Sequence, residues 1–107
     1  MIRGSVWWVE FDPAVGTEIH KTRPAVIVSN DTANRFLARV VVVPLTSNIS
    51  RIYPGETVVT VNGYKNKAMT DQIMSADKSR LKNKIAELSF DDMVSLETVM
   101  KRFFDLP

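Results

Sequence analysis

The chain carries one histidine, His20, and no cysteine. That excludes thiol catalysis, a disulfide framework, a Cys-based zinc site and a histidine-rich metal site. A Ser-His catalytic pair would have to use His20. Histidine is the side chain whose ordinary pKa lies near neutrality, so it can act as an acid or a base. His20, Lys21 and Arg23 stand within four residues. Lysine attracts phosphate as a point charge, and arginine offers five N–H donors in a rigid, permanently charged fork. Charge is unevenly spread. Residues 20–84 hold eleven Lys and Arg against four Asp and Glu, while the flanking segments are acidic and the net charge is only +2. A basic middle is a footprint for a polyanion; solvated strand edges carry the same residue types.

The elements that must position these groups are short and β-like. Ser5–Phe11 reads as a strand with Trp7, Val9 and Phe11 on one face and Val6, Trp8 and Glu10 on the other. Asp12-Pro13 stops it, and a polar loop bends at Gly16. Pro24–Ser29 is a second strand, with its proline at the position where a missing N–H matters least. Asn30 can cap a short helix ending near Phe36. Arg39–Leu45, with four consecutive valines, reads as a strand buried on both faces. Glu56–Val61 alternates, and Asn62-Gly63 is a turn signal. Ala68–Met74 is expected as a fifth strand, Asp77–Leu81 as a helical turn, and Lys84–Leu88 as a last short strand.

One longer helix is expected over about residues 89–103. Ser89 is its cap, Asp91 and Asp92 face the positive end of its dipole, and Lys101 and Arg102 the negative end. Met93, Leu96, Met100 and Phe103 make its apolar stripe. The 107 residues are expected to form one domain, a small bent antiparallel sheet or partly open barrel. There is no apolar run of the ~20 residues that a membrane span needs, and no secretory leader pattern. A cytoplasmic protein is expected.

Four segments occur in order: GSVWWVEFDP (Gly4–Pro13), GTEIHKTRPAVIVSND (Gly16–Asp31), VPLTSN (Val43–Asn48) and DQI (Asp71–Ile73). Together they resemble the MazF/PemK family, the toxin components of type II toxin–antitoxin pairs. The resemblance covers nearly the whole chain. It implies a mainly β, SH3-like small barrel of the CcdB/PemK kind with added helices, forming a homodimer. It implies a metal-independent, sequence-selective endoribonuclease acting on single-stranded RNA and leaving a 2′,3′-cyclic phosphate and a 5′-hydroxyl. No cofactor or metal is implied. The expected partners are RNA and a cognate MazE-like antitoxin.

Carried over position by position, Arg23 matches the catalytic arginine of the R-P motif. Its fork can clamp the non-bridging oxygens as the 2′-oxygen attacks. Thr46 matches the threonine of V-P-x-T, with Ser47 beside it as a weaker candidate for the same phosphate contact. Glu18, Asn30 and Gln72 match positions that contact RNA in some members, and amides can read the edges of unstacked bases. Thr17 and Lys21 join this RNA-binding set. Asp71 matches an aspartate implicated in catalysis in one branch, but that branch's companion arginine is Met69 here and its histidine is Thr17. His20 is chemically suited to proton transfer and matches no catalytic position. Trp8 would point away from a core made by Trp7, Val9 and Phe11, where it can stack a base or an antitoxin side chain; core or dimer packing is the commoner use of tryptophan. Two other readings compete: a CcdB-like gyrase poison, whose C-terminal Trp-Gly-Ile is replaced here by Phe103-Phe104-Asp105-Leu106-Pro107, and a non-catalytic SH3-like nucleic-acid-binding module.

Overall fold

The computed structural model describes all of residues 1–107. Seven strands and two helices follow one another as β1 (Ser5–Glu10), β2 (Thr22–Ile27), α1 (Asp31–Phe36), β3 (Arg39–Thr46), β4 (Glu56–Val61), β5 (Tyr64–Met69), β6 (Met74–Asp77), β7 (Leu81–Glu87) and α2 (Phe90–Phe103). The sheet runs β4-β5-β3-β2-β1-β7, and β6 also pairs with β3. Every pairing is antiparallel. This is the mainly β, bent-sheet architecture with a C-terminal helix that the sequence implies.

Strand β3 is the hub. Its first half, Arg39–Val42, pairs with β6, and Leu45 and Thr46 pair with β5. Along its other side Val42–Pro44 pair with β2. Val42 and Val43 are both fully buried although neighbours in a strand point to opposite faces. They feed two separate cores. Val43 joins Val6, Val26, Leu45, Val59 and, from α2, Met93 and Leu96. Val42 joins Val9, Phe11, Ala25, Ile27 and Val40. The valine run was thus correctly read as a strand covered on both faces.

Helix α2 covers the first core. The Ser89 hydroxyl accepts the Asp92 N–H at 3.1 Å, as its cap position predicts. Asp92 in turn accepts the Thr60 N–H of β4 at 2.8 Å, so the helix is fastened to the sheet by a backbone bond as well as by its stripe. The end strands of the sheet approach each other where Asn62, in the β4–β5 turn, donates to the Ile85 carbonyl of β7 at 3.2 Å.

Two expectations needed correction. Ala68–Met74 is not one strand: β5 ends at Met69, a 3-10 turn spans Thr70–Gln72, and β6 begins at Met74. Both β5 and β6 pair with the same edge of β3, so the chain must bend between them. The Thr70 N–H, bonded to the Gly55 carbonyl at 3.0 Å, holds that bend. The last strand starts at Leu81, earlier than Lys84. In β1 the expected alternation holds, with both faces covered: Val6 is buried in the first core, while Val9 and Phe11 lie in the second with Trp7 packed against it. The β1–β7 pairing shifts register between Val6 and Trp7 and again between Trp7 and Val9.

Candidate active site

Strands β1, β2, β3 and β5 together wall a groove of about 430 Å³ lined by Trp8, Thr22, Arg23, Pro24, Leu45, Thr46, Ser47 and Asn66. Its geometry follows from strand register. Trp8 pairs with Pro24 and Val9 with Arg23 across β1 and β2. Across β2 and β3 the last rung is Ala25 with Pro44. Two residues further along the same register, Arg23 comes opposite Thr46.

Arg23 is half-buried and precedes a proline, which keeps its backbone extended. Its Nε donates to the His20 carbonyl at 3.3 Å. Neither terminal nitrogen of its guanidinium has a partner in the chain, so both remain available to an oxyanion in the groove. Thr46 Oγ1 accepts the Asn48 N–H at 3.3 Å, which leaves the hydroxyl proton free to donate. Arg23 is the only charged residue of the lining. A cation, the hydroxyls of Thr22, Thr46 and Ser47 and no carboxylate suit a phosphodiester oxygen.

Two residues complete this groove. Trp8 is 42% exposed despite its size, so it offers an indole face to solvent. Asn66, buried, donates to the Tyr64 carbonyl at 3.3 Å. Sequence reasoning missed Asn66 because it placed the fifth strand four residues too late. Pairing the Asn62-Gly63 turn with the Glu56–Val61 strand would have started β5 at Tyr64 and exposed the candidate.

A second cleft, of about 450 Å³, collects Thr17, Glu18, Asp71 and Gln72, with Phe11, Pro13, Ile19, Ile73 and Met74. The sequence candidates therefore divide between two grooves. Gln72 is engaged here: its Oε1 accepts the Ile19 N–H at 3.1 Å and its Nε2 donates to the Thr17 carbonyl at 3.5 Å. Glu18 Oε1 accepts the Val15 N–H at 2.7 Å. Both side chains pin the β1–β2 loop, as does Arg80, which donates to the Glu10 and Asp12 carbonyls at 2.9 and 2.8 Å. Asp71 is exposed in this cleft and does not line the Arg23 groove.

The remaining candidates line neither groove. His20 is exposed and contributes its carbonyl to Arg23. Lys21 is exposed with φ +67°, its N–H held by Asp12 at 3.0 Å. Asn30 caps α1 by accepting the Ala33 N–H at 2.8 Å.

Residues 2–104 match the family described as "PemK-like, MazF-like toxin of type II toxin-antitoxin system". The chain belongs to the PemK/MazF toxin family. It is 39% identical to endoribonuclease MazF9 of Mycobacterium tuberculosis, the match covering 99% of this chain and 98% of that protein. Among solved structures, a mycobacterial endoribonuclease in complex with its cognate antitoxin superposes with TM-score 0.84 at 25% identity, covering 100% of this chain and 97% of that one. MazF of Deinococcus radiodurans superposes with TM-score 0.87 at 24% identity over 99% and 97% of the two chains, a likeness of fold. The matched range of this PemK/MazF toxin includes every residue of both grooves. No helix is long and apolar enough to cross a membrane.

Proposed function

We propose that this toxin is a metal-independent endoribonuclease that cuts single-stranded RNA at selected sequences in the Arg23–Thr46 groove, and that a cognate MazE-like antitoxin restrains it. One observation carries the reading: the two unpartnered guanidinium nitrogens of Arg23 and the free hydroxyl proton of Thr46 meet in one acid-free groove. The whole-length likeness to a protein named as an endoribonuclease supports it.

In the proposed reaction the RNA 2′-oxygen attacks the adjacent phosphorus. The new 2′-O–P bond forms as the P–O5′ bond breaks, giving a 2′,3′-cyclic phosphate and a 5′-hydroxyl. Arg23 offsets the charge gathering on the non-bridging oxygens, the work a metal ion would otherwise do, and Thr46 donates to one of them. Ser47 adds a second hydroxyl at the groove wall. Because neither Asp71 nor His20 lines this groove, water takes the 2′-hydroxyl proton, and the Arg23 guanidinium gives one to the leaving 5′-oxygen and regains it from the hydronium so formed. Trp8 stacks a base beside the scissile phosphate. Thr17, Glu18 and Gln72 shape the second cleft, where a flanking nucleotide binds, and Lys21 and Asn30 bear on the RNA from its margins. The active species is a cytoplasmic homodimer.

The deciding experiment incubates long single-stranded RNA with pure protein in excess EDTA, beside Arg23→Ala. Discrete fragments from the wild type alone support the reading. Equal cutting by both, or none by either across substrates of varied sequence, refutes it.

A further inference from the structure

We propose that the buried ion pair of Lys67 and Glu56 is a positioning device for the Thr46 hydroxyl, acting through residues 47–55; the proposal rests on the ribonuclease reading of the Arg23 groove. Lys67 Nζ lies 3.0 Å from Glu56 Oε1, and the two side chains are only 10% and 7% exposed. They share a face of the β4–β5 hairpin: Lys67 is opposite Val58, and Glu56 is two residues before Val58. Burying two charges is a poor route to stability, because desolvation offsets much of the attraction. The remaining bonds of the pair show what it holds.

Lys67 Nζ also donates to the Arg51 carbonyl at 2.9 Å and sits 5.1 Å from the centre of the Tyr53 ring. Glu56 Oε1 also accepts the Tyr53 N–H at 2.8 Å. Both partners thus direct their other contacts at residues 51–53. The near end of the same segment is Thr46, whose strand partner in β5 is Lys67 itself. Lys67 therefore grips both ends of the segment, one by its place in the strand and one by its ammonium.

Between those ends a short relay runs back to the site. The Ser50 N–H and hydroxyl donate to Asn48 Oδ1 at 3.3 and 2.8 Å. The Asn48 N–H donates to Thr46 Oγ1 at 3.3 Å. That last bond holds the threonine oxygen as an acceptor on the protein side and turns its proton toward the groove. With Arg51 released, Asn48 is no longer tethered and the hydroxyl can rotate away.

Lys67→Met alone would strand a buried carboxylate, so the test uses E56Q/K67M, which removes both charges at similar volume. Its thermal midpoint is measured first, and all assays are run well below it. Trypsin cuts the Arg51–Ile52 bond, whose carbonyl is the one Lys67 holds. The double variant should lose this bond at least about fivefold faster than the wild type, because cleavage follows local opening. Its kcat/KM on RNA should fall about tenfold, yet by less than about twofold when the same pair of changes is made in the Thr46→Ala background. A folded double variant with an unchanged tryptic rate overturns the proposal. So does a fall in kcat/KM of equal size in both backgrounds, which is what general loosening would give. A wild type that cuts no RNA sinks the ribonuclease reading and the catalytic half of this proposal with it; the tryptic comparison, which uses no RNA, still decides whether the restraint exists.

Discussion

Arg23 and Thr46 stand opposite each other two residues past the last rung between β2 and β3, Ala25 with Pro44, and both face one groove. The β2–β3 ladder ends at that rung, and Arg23 and Thr46 beyond it line the groove with Trp8 of β1 and Asn66 of β5. The groove thus lies at the unpaired end of a ladder. Each half of the site belongs to a different strand, so neither residue is placed without the other's strand.

This arrangement asks for a fork at Arg23 and not only for a charge. Arg23→Lys should lower kcat roughly a hundredfold with little change in folding, because a single ammonium cannot hold two phosphate oxygens. Thr46→Ser should keep most activity and Thr46→Ala should not. Single-turnover cleavage of a defined RNA measures both. Full activity in Arg23→Lys would remove the proposed clamp.

Trp8 separates binding from chemistry. It is 42% exposed, so Trp8→Ala should fold, yet raise KM by about fivefold or more, since a stacked base is worth about 1–3 kcal/mol. Trp8→Phe should recover much of that loss. The intrinsic fluorescence of the wild type should also change when a non-cleavable RNA binds. An unchanged KM in Trp8→Ala would return the residue to packing.

Gln72 tests whether the second cleft reads RNA directly or through its loop. Its Oε1 holds the Ile19 N–H at 3.1 Å. Gln72→Ala should speed hydrogen exchange at Ile19 and blur the choice of cleavage sequence. Gln72→Glu keeps an acceptor for that N–H and should keep Ile19 protected. If both variants leave Ile19 exchange as it was, the anchor is not there.

Gly55 has φ +86°, and a Cβ there would lie 2.7 Å from Phe103 Cδ1 of α2. Gly55→Ala should destabilise the fold by at least about 1 kcal/mol, through backbone strain and displacement of the ring. Adding Phe103→Ala should relieve only the second part. Denaturant midpoints of the single and double variants check this.

One acid predicts a pH dependence. The Ser79 hydroxyl and N–H, both bonded to Asp77, hold its carboxyl below the usual carboxylate value. A lowered folded pKa contributes stability that is present above the unfolded value near ~3.9 and is lost as pH falls through the folded one. Asp77→Asn should therefore lower stability slightly at neutral pH, where that contribution is fully present, and flatten the low-pH limb of the melting curve. A steeper limb in the variant would contradict the sign.

Local chemistry was enough for much of this protein. The valine run of β3, the alternation of β4, the Asn30 and Ser89 caps and the charge pattern of α2 could be read directly, because each depends on neighbours within a few residues. The ordered segments around Arg23, Thr46 and Asp71 pointed to the family. Distribution of the candidates between two grooves was decided only in three dimensions. So were the conversion of Gln72 and Glu18 into loop anchors, the bend at Thr70 that shortens the expected fifth strand, and the exposure of Trp8 beside Arg23. The reason is register: which residues meet depends on the pairing of strands distant in sequence, and a slip of one residue reverses every face. The residue types of the site are therefore a property of the chain, and their meeting is a property of the sheet.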